Sequence, residues 1–463
     1  MKSNKYMRAL FRDYGMVFVL LALCALVSIV TIADHHPSDV AAGRQLANQL
    51  CSQAGTEINV LIVAREVPST DEAFALALKE QLQSNGANVL GVELGNPRSV
   101  RARLEDLGRQ KIRVDYIATH NFSSNWGVLH TDKLKALGTT FPTLKKVRKV
   151  RPKSHRWPIF LTASNLRKVL DQNAPTAIVA IGMTLVIITA GIDLSVGSMV
   201  ALASVITAIT IRDLFGGASA SGMDVTLAYG LTMLVCAGVG MLVGVFVTVF
   251  KVPPFVVTLG LMMVARGAAY FIADEASAIP LSSVAGNKLL YDSNLLGIQN
   301  QIPIMILLFV MAHVLMNHTA YGRYVYAVGG NVTSARLSGV PVVFVVISVY
   351  MICSLLSGFA GILETSHHQA GLMSAGNLLE LKAIAAVVVG GTSLMGGEGK
   401  IFGTFIGVLI LGVIENGLNT AGAHLGLEGV QKMGLEQVIY GALILVAVLI
   451  DQLKKKVVKP AAN

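Results

Sequence analysis

Nine apolar runs follow one another after Trp157: Ile178–Ala190, Met199–Ile211, Leu227–Val249, Pro254–Ile272, Ile302–Leu315, Val343–Leu363, Ile384–Val389 with its flanks, Ile401–Ile414 and Val438–Ile450. A tenth, Met16–Ile32, stands near the start. A bilayer core takes about 20 apolar residues per helix, and helices satisfy their own backbone groups inside it. Closely spaced runs of this kind therefore predict a bundle of membrane helices. Composition agrees, because 463 residues that are 53% hydrophobic and 14% charged, with 45 glycines, are too apolar for a soluble chain of this size. The expected fold class is an all-α polytopic membrane protein of about ten transmembrane helices, with an inserted small α/β module.

The net charge of +10 fits basic loops and anionic headgroups, and no aromatic-interleaved nucleic-acid motif is present. Cys24, Cys236 and Cys353 sit inside apolar runs and Cys51 stands alone, so no disulfide framework is indicated. Met1–Gly15 carries Lys2, Lys5, Arg8 and Arg12 against Asp13. A signal peptide would end in a small-residue cleavage site, which Thr31–His36 does not resemble, so a retained first helix with its N-terminus inside is expected. Ten spans then return the C-terminus to the cytoplasm, where Lys454–Lys456 and Lys459 lie. The same topology puts Lys251, Arg323, Arg336 and Lys400 inside and leaves 34–173, 212–226, 274–300, 365–380 and 418–434 outside. The domains expected are 1–33, 34–158, 159–453 with a coupling loop at 317–342, and a tail at 454–463.

Residues 34–158 change character. Glu57–Ala64, Ala87–Leu94 and Arg113–Thr119 are Val- and Ile-rich runs of strand length. Ser69–Ser84 and Ser99–Arg109 lie between them with helical spacing. The order predicts a right-handed parallel β-α-β-α-β unit. Arg65-Glu66-Val67-Pro68 follows the first run in place of a G-x-G-x-x-G, so no nucleotide site is indicated, and docking or packing is the simpler role than ligand binding. The unit ends in Lys145–Arg156, seven cations without an acid. Such a run normally marks the cytoplasmic face, but long domains translocate largely regardless of charge. The other loops place the module outside, with the basic run meeting an acidic binding protein or anionic headgroups.

Between two apolar runs, Gly191–Ser198 carries Asp193, Ser195 and Ser198. Two readings stay open: a hairpin loop whose Asp caps the next helix, or a polar lining of a substrate path, since ionisable groups within a membrane lean functional. Further on, Gly240/Gly244 and Gly403/Gly407 have the small-xxx-small spacing that packs helices closely. In Gly322–Val342, Gly329-Gly330-Asn331 is expected to break the chain and cap a short amphipathic helix running through Arg336 to Gly339. A soluble partner pushes on such an element. His35-His36 and His367-His368 read as solvated loop pairs without metal-site spacing, and Gly399-Lys400 has Leu394 where a P-loop needs glycine and Ile401 where it needs Ser or Thr. The chain is thus expected to hold no metal or cofactor and to be no enzyme.

From about Trp157 to Lys456 the sequence resembles the bacterial ABC-transporter permeases of the ribose, xylose, arabinose and galactose group. The resemblance is carried by Asn165-Leu166, AIGMTLVIITAGIDLSVGSMVAL (Ala180–Leu202), GRYVYAVGGNVTSARLSGV (Gly322–Val340), AIAAVVVGGTSLMGGEGKIFGTFIG (Ala383–Gly407) and ENGLN (Glu415–Asn419). It implies an inner-membrane pore, homodimeric or heterodimeric, that receives a sugar from a periplasmic binding protein. A separate cytoplasmic ATPase subunit supplies ATP and Mg and touches Gly322, Arg323, Gly329, Gly330, Asn331, Arg336 and Gly339. Val332 stands where that family usually has an acid, and the family's Glu-Leu-Asp reads Glu380-Leu381-Lys382, reversing a charge at the pore mouth. Residues 34–156 lie outside the resemblance. Alternating access would move sugar past a mostly apolar path on which Thr189, Asp193, Ser195, Glu364 and Asn416 are the polar candidates. Two rivals remain: an ion-coupled secondary transporter, which needs coupling groups at the midplane, and a membrane-anchored sensor using the 34–158 module as receptor.

Overall fold

The structure is a computed structural model that describes residues 2–67, 69–273, 278–281, 285–288, 290–291, 297–422 and 430–458. The expected outer loops at 274–300 and 418–434, and the basic tail at Lys459, fall partly or wholly outside these residues. The chain divides into two compact units, Met1–Thr31 with Phe160–Asn463, and Ile32–Ile159.

In chain order the elements are α1 (Lys2–Val30), β1 (Ile32–His35), α2 (Val40–Ala54), β2 (Asn59–Ala64), α3 (Ser69–Ser84), β3 (Asn88–Leu94), α4 (Pro97–Arg109), β4 (Tyr116–Thr119), α5 (Asn121–Ser124), α6 (Thr131–Thr140), β5 (Arg148–Val150) and β6 (His155–Pro158). They continue with α7 (Ala163–Ile188), α8 (Val196–Ile209), α9 (Gly222–Thr248), α10 (Pro254–Ala273), β7 (Ala278–Pro280), α11 (Ala285–Lys288), α12 (Gln301–His318), α13 (Ala320–Gly330) and α14 (Val332–Leu337). The last are α15 (Val342–His368), β8 (Ala370–Leu372), α16 (Leu379–Val389), α17 (Ile401–Gly422) and α18 (Val430–Val458).

Among the described residues, seven helices of the larger unit are long and apolar enough to cross a membrane: α7, α8 with its π-helical extension to Leu214, α9, α10, α12, α15 and α17. Helices α7 and α15 form its centre. The whole of Asn173–Ile188 is buried, and Gly182 meets Cys353 so closely that a Cβ there would lie 2.7 Å from the Cys353 Cα. Helix α7 also begins well before the apolar run at Ile178. Its N-terminal half is polar in sequence, and each buried amide or acid in it finds a partner. Asn165 and Asn416 exchange amide hydrogen bonds at 2.8 and 3.0 Å, and Gln301 donates to both Asp171 O, at 3.1 Å, and the Asp171 carboxylate.

Glycines close the other helix contacts. Gly240 and Gly244 of α9 lie on the α15 backbone at Tyr350–Met351 and Ile347, while Gly403 and Gly407 of α17 lie on the carbonyls of Gly390 and Ala386. None of these four positions has room for a Cβ. Since lipid tails compete for apolar surface as well as any side chain does, close backbone approach supplies the packing that holds such helices together.

In the smaller unit β2, β3, β4 and β5 make one parallel sheet in the order β3-β2-β4-β5. Val60–Ala64 are fully buried between α2 and α3 on one side and α4 on the other. Strand β1 pairs antiparallel with β6, Ile32 opposite Pro158 and His35 opposite His155. The basic run is therefore not a bare flank: Arg148–Val150 forms the edge strand of the sheet, and His155–Arg156 belongs to the β1–β6 ribbon.

At the carboxyl ends of β2 and β4 lies a buried polar knot. Arg65 Nε donates to Asp71 Oδ2 at 2.6 Å, and His120 Nε2 stands 3.0 Å from the same oxygen and 3.2 Å from Ser123 Oγ. The Phe122 N–H donates to His120 Nδ1, so the proton resides on Nε2 and points to Asp71. Asp, His and Ser occur together here, but acid and hydroxyl share one ring nitrogen, which is not the relay that nucleophilic catalysis requires.

Candidate translocation path and coupling segment

The stretch from Ile178 to Ala203 folds as the end of α7, a seven-residue turn and the start of α8. Helix α7 stops at Thr189, the C-cap, and Ala190 takes a left-handed φ of 62°. Asp193, 2% exposed, accepts from Ser195 N at 2.9 Å and Ser195 Oγ at 2.6 Å. Its carboxylate thus closes an Asx turn onto Ser195, itself the N-cap of α8. The local geometry is that of a turn held against α15.

The five path candidates do not converge on one site. Thr189 donates to Val186 O at 2.9 Å and lines a cavity described below. Asp193 and Ser195 bond to each other. Asn416 is spent on the amide pair that fastens α17 to α7. Glu364 meets His368 at 3.2 Å one turn on in α15, and fourteen residues separate it from Tyr350, about 21 Å along a helix. The pair His367-His368 is accordingly not a solvated loop but the last turn of α15: His367 stacks on Tyr291 at 4.2 Å and His368 carries the carboxylate neighbour. Among the described residues no group of His, Cys, Asp and Glu has metal-site geometry. Lys382 likewise does not stand free at a pore mouth. Its ammonium lies 3.3 Å from Glu415 Oε2, to which the Tyr440 hydroxyl also donates at 3.2 Å.

The coupling segment is two helices rather than one. Thr319 caps α13 through Gly322 N, and Gly322 fits where a Cβ would strike the backbone of Met316. Gly329 and Gly330 do not break the chain but form the last residues of α13; the break falls at Asn331, whose side chain caps α14 through Ser334 N at 2.9 Å. Arg336 lies in the last turn of α14, and Gly339 follows with φ 82°. Arg323, Asn331 and Arg336 are exposed, as is Leu337 at 86%. Gly329 is smooth for a different reason than chain reversal: a side chain there would collide with the Ile188 carbonyl. That carbonyl, the last of α7, also accepts from Gly397 N at 2.9 Å, and Tyr326 OH donates to Gly399 O at 2.8 Å. Helix α13 thus packs its Gly329 backbone against the end of the central helix and is hydrogen-bonded through Tyr326 to the Gly397–Gly399 segment that the same carbonyl holds.

A cavity of about 300 Å³ lies beside this contact, between α14, the α9–α10 turn and α15. Valines 247, 328, 332, 342, 343 and 346 supply most of its wall, with Thr189, Thr248, Lys251, Arg336 and Tyr350 as its polar members. Tyr350 was not among the residues singled out from the sequence, where it is one aromatic in an apolar run. It is 1% exposed, and its hydroxyl has no hydrogen-bond partner.

Residues 165–448 match the family described as branched-chain amino acid transport system / permease component. The chain belongs to that family. Among relatives of this permease, the ribose import permease RbsC of Escherichia coli K12 is 39% identical over 303 residues, 64% of this chain and 88% of the relative. RbsC of Bacillus subtilis is 41% identical over 297 residues, 64% and 87%. A probable ABC transporter permease, y4mJ of Sinorhizobium fredii, is 37% identical over 302 residues, 64% and 84%. No solved structure matches the permease at a significant level. The permease is a multi-pass membrane protein, and the matched residues lie wholly within its larger unit.

Proposed function

We propose that this chain is the permease subunit of an ATP-binding-cassette importer and forms the translocation path for a monosaccharide, ribose-like, delivered by a periplasmic binding protein. ATP and Mg are handled by a separate cytoplasmic ATPase subunit. The observation that carries the reading is the α13–α14 element, which is exposed at Arg323, Arg336 and Leu337 yet packed through Gly329 against the Ile188 carbonyl. A push on α14 is delivered to the C-terminal end of α7, the most buried of the long helices, and to the Thr189–Ser195 turn beyond it.

Adding α16, 11 residues long, to the seven long helices and the shorter apolar stretches Gly15–Val30 and Gly434–Val446 gives the ten crossings of this reading, and with the N-terminus cytoplasmic an even count returns the C-terminus there. Residues 32–159 are then periplasmic, and their basic edge is a platform for an acidic binding protein. Two copies of the chain form the pore. Purification from the native membrane in mild detergent tests the assignment: a P-loop ATPase co-purifies, and is lost when Arg336 and Leu337 are both replaced by Asp. Sugar uptake that survives ATP depletion and collapses with an ionophore would instead make the chain an ion-coupled transporter.

A further inference from the structure

The cavity beside α14 has a composition unsuited to a neutral sugar. Lys251 and Arg336 stand at its edge, both exposed, and no carboxylate among the described residues pairs with either. Thr189 and Thr248 have donated their hydroxyl protons to the carbonyls of Val186 and Gly244, which leaves oxygen lone pairs but no donors. Tyr350 is the exception. The residue lines the cavity, and its hydroxyl is buried without a hydrogen-bond partner. A buried hydroxyl without a partner is costly, a cost removed by an acceptor arriving from outside.

Position adds the rest. Lys251 sits in the turn between the last residue of one membrane helix, Thr248, and the first of the next, Pro254, so the cavity lies at the level where lipid headgroups lie. Val249, Phe250, Phe255, Val256 and Phe344, next in sequence or nearly so to its lining residues Thr248, Lys251, Pro254 and Val343, are all between 46% and 64% exposed. Two cations, one unpaired donor and apolar walls at headgroup depth describe the recognition of an anionic phosphate that carries hydrocarbon.

We propose that this cavity binds the phosphate of an anionic phospholipid, held by Lys251 and Arg336, with Tyr350 donating to a headgroup oxygen and the valine wall taking the first part of the acyl chains. The bound lipid bridges α14 to the α9–α10 turn. Arg336 belongs both to this cavity and to the proposed ATPase contact, whereas Lys251 belongs to the cavity alone.

The test uses the full chain purified in detergent, incubated with phosphatidylglycerol or phosphatidylcholine, and native mass spectrometry to count retained lipid. Phosphatidylglycerol is expected to be retained over phosphatidylcholine, and the Lys251→Gln/Arg336→Gln double variant to lose that preference by about tenfold, the order expected of two cations near an anionic headgroup. Lys251→Arg/Arg336→Lys keeps both charges and is expected to retain the lipid, which separates charge from folding. Tyr350→Phe is expected to weaken retention about two- to threefold, the scale of one hydrogen bond. Equal retention by the Gln double variant, loss of retention in the charge-keeping variant, or displacement by millimolar inorganic phosphate would each overturn the proposal. An ATPase that still co-purifies with the Lys251→Gln single variant shows that the importer assignment stands whichever way the lipid result falls.

Discussion

The buried ionisable groups of the smaller unit decide how that unit responds to acid. His120 is held below the ordinary histidine range, first because burial disfavours the imidazolium, with Arg65 adding to that and Asp71 opposing it. A depressed histidine binds fewer protons folded than unfolded near pH 6, so the stability it contributes is fully present above the unfolded value of about 6.5 and is lost as pH falls below it. Hydrogen exchange of the β4 amides in the full chain is expected to speed up between pH 7 and 5. His120→Asn, which retains an acceptor for Phe122 N, is expected to flatten that pH dependence while lowering protection at pH 7, because Asp71 loses a donor. An unchanged pH profile in the variant would show that His120 does not control it. None of this was legible from the sequence, where Asp71 stands 49 positions from His120 and 52 from Ser123 and only the β2–β4 pairing brings them together. The amide pair of Asn165 and Asn416 was hidden in the same way. Asn416 reads as a candidate path residue because a lone amide in an apolar helix invites function, and its partner lies 251 positions away.

At the scale of elements the sequence was legible wherever one period dominated. The strands at Asn59–Ala64 and Asn88–Leu94 and the helix at Ser69–Ser84 lie on the runs read for them. Helix α2 went unread although Asp39 caps it and Ala42, Leu46, Ala47 and Leu50 make its buried face; alanine and glutamine give that face too little contrast. The two glycines of the coupling segment show what pattern alone cannot separate. Gly329→Ala forces a methyl against the Ile188 carbonyl and is expected to destabilise the purified protein by about 1–3 kcal/mol. Gly330→Ala, whose added methyl meets nothing within 4 Å, is expected to be neutral or to stabilise by up to about 1 kcal/mol through helix propensity. Thermal unfolding of the two variants side by side checks the opposite signs; equal behaviour would mean that α13 does not bear on α7.

At the scale of the whole molecule, the chain carries a second fold between α1 and α7, and the β1–β6 ribbon shows how this is tolerated. Ile32 and Pro158 face each other, so the polypeptide departs for the smaller unit and comes back at neighbouring points. Replacing residues 36–154 by Asn-Gly, a sequence suited to closing a two-residue hairpin, is expected to leave a protein that still inserts in the membrane and unfolds cooperatively, as a domain with its own core does. Failure of the shortened chain to insert would show that the two units fold as one. The ribbon also bears on inheritance. A hairpin of four pairs is a docking port with a fixed gauge, so a lineage can acquire, discard or trade the inserted cargo there by a single recombination event while the helices of the larger unit keep their register.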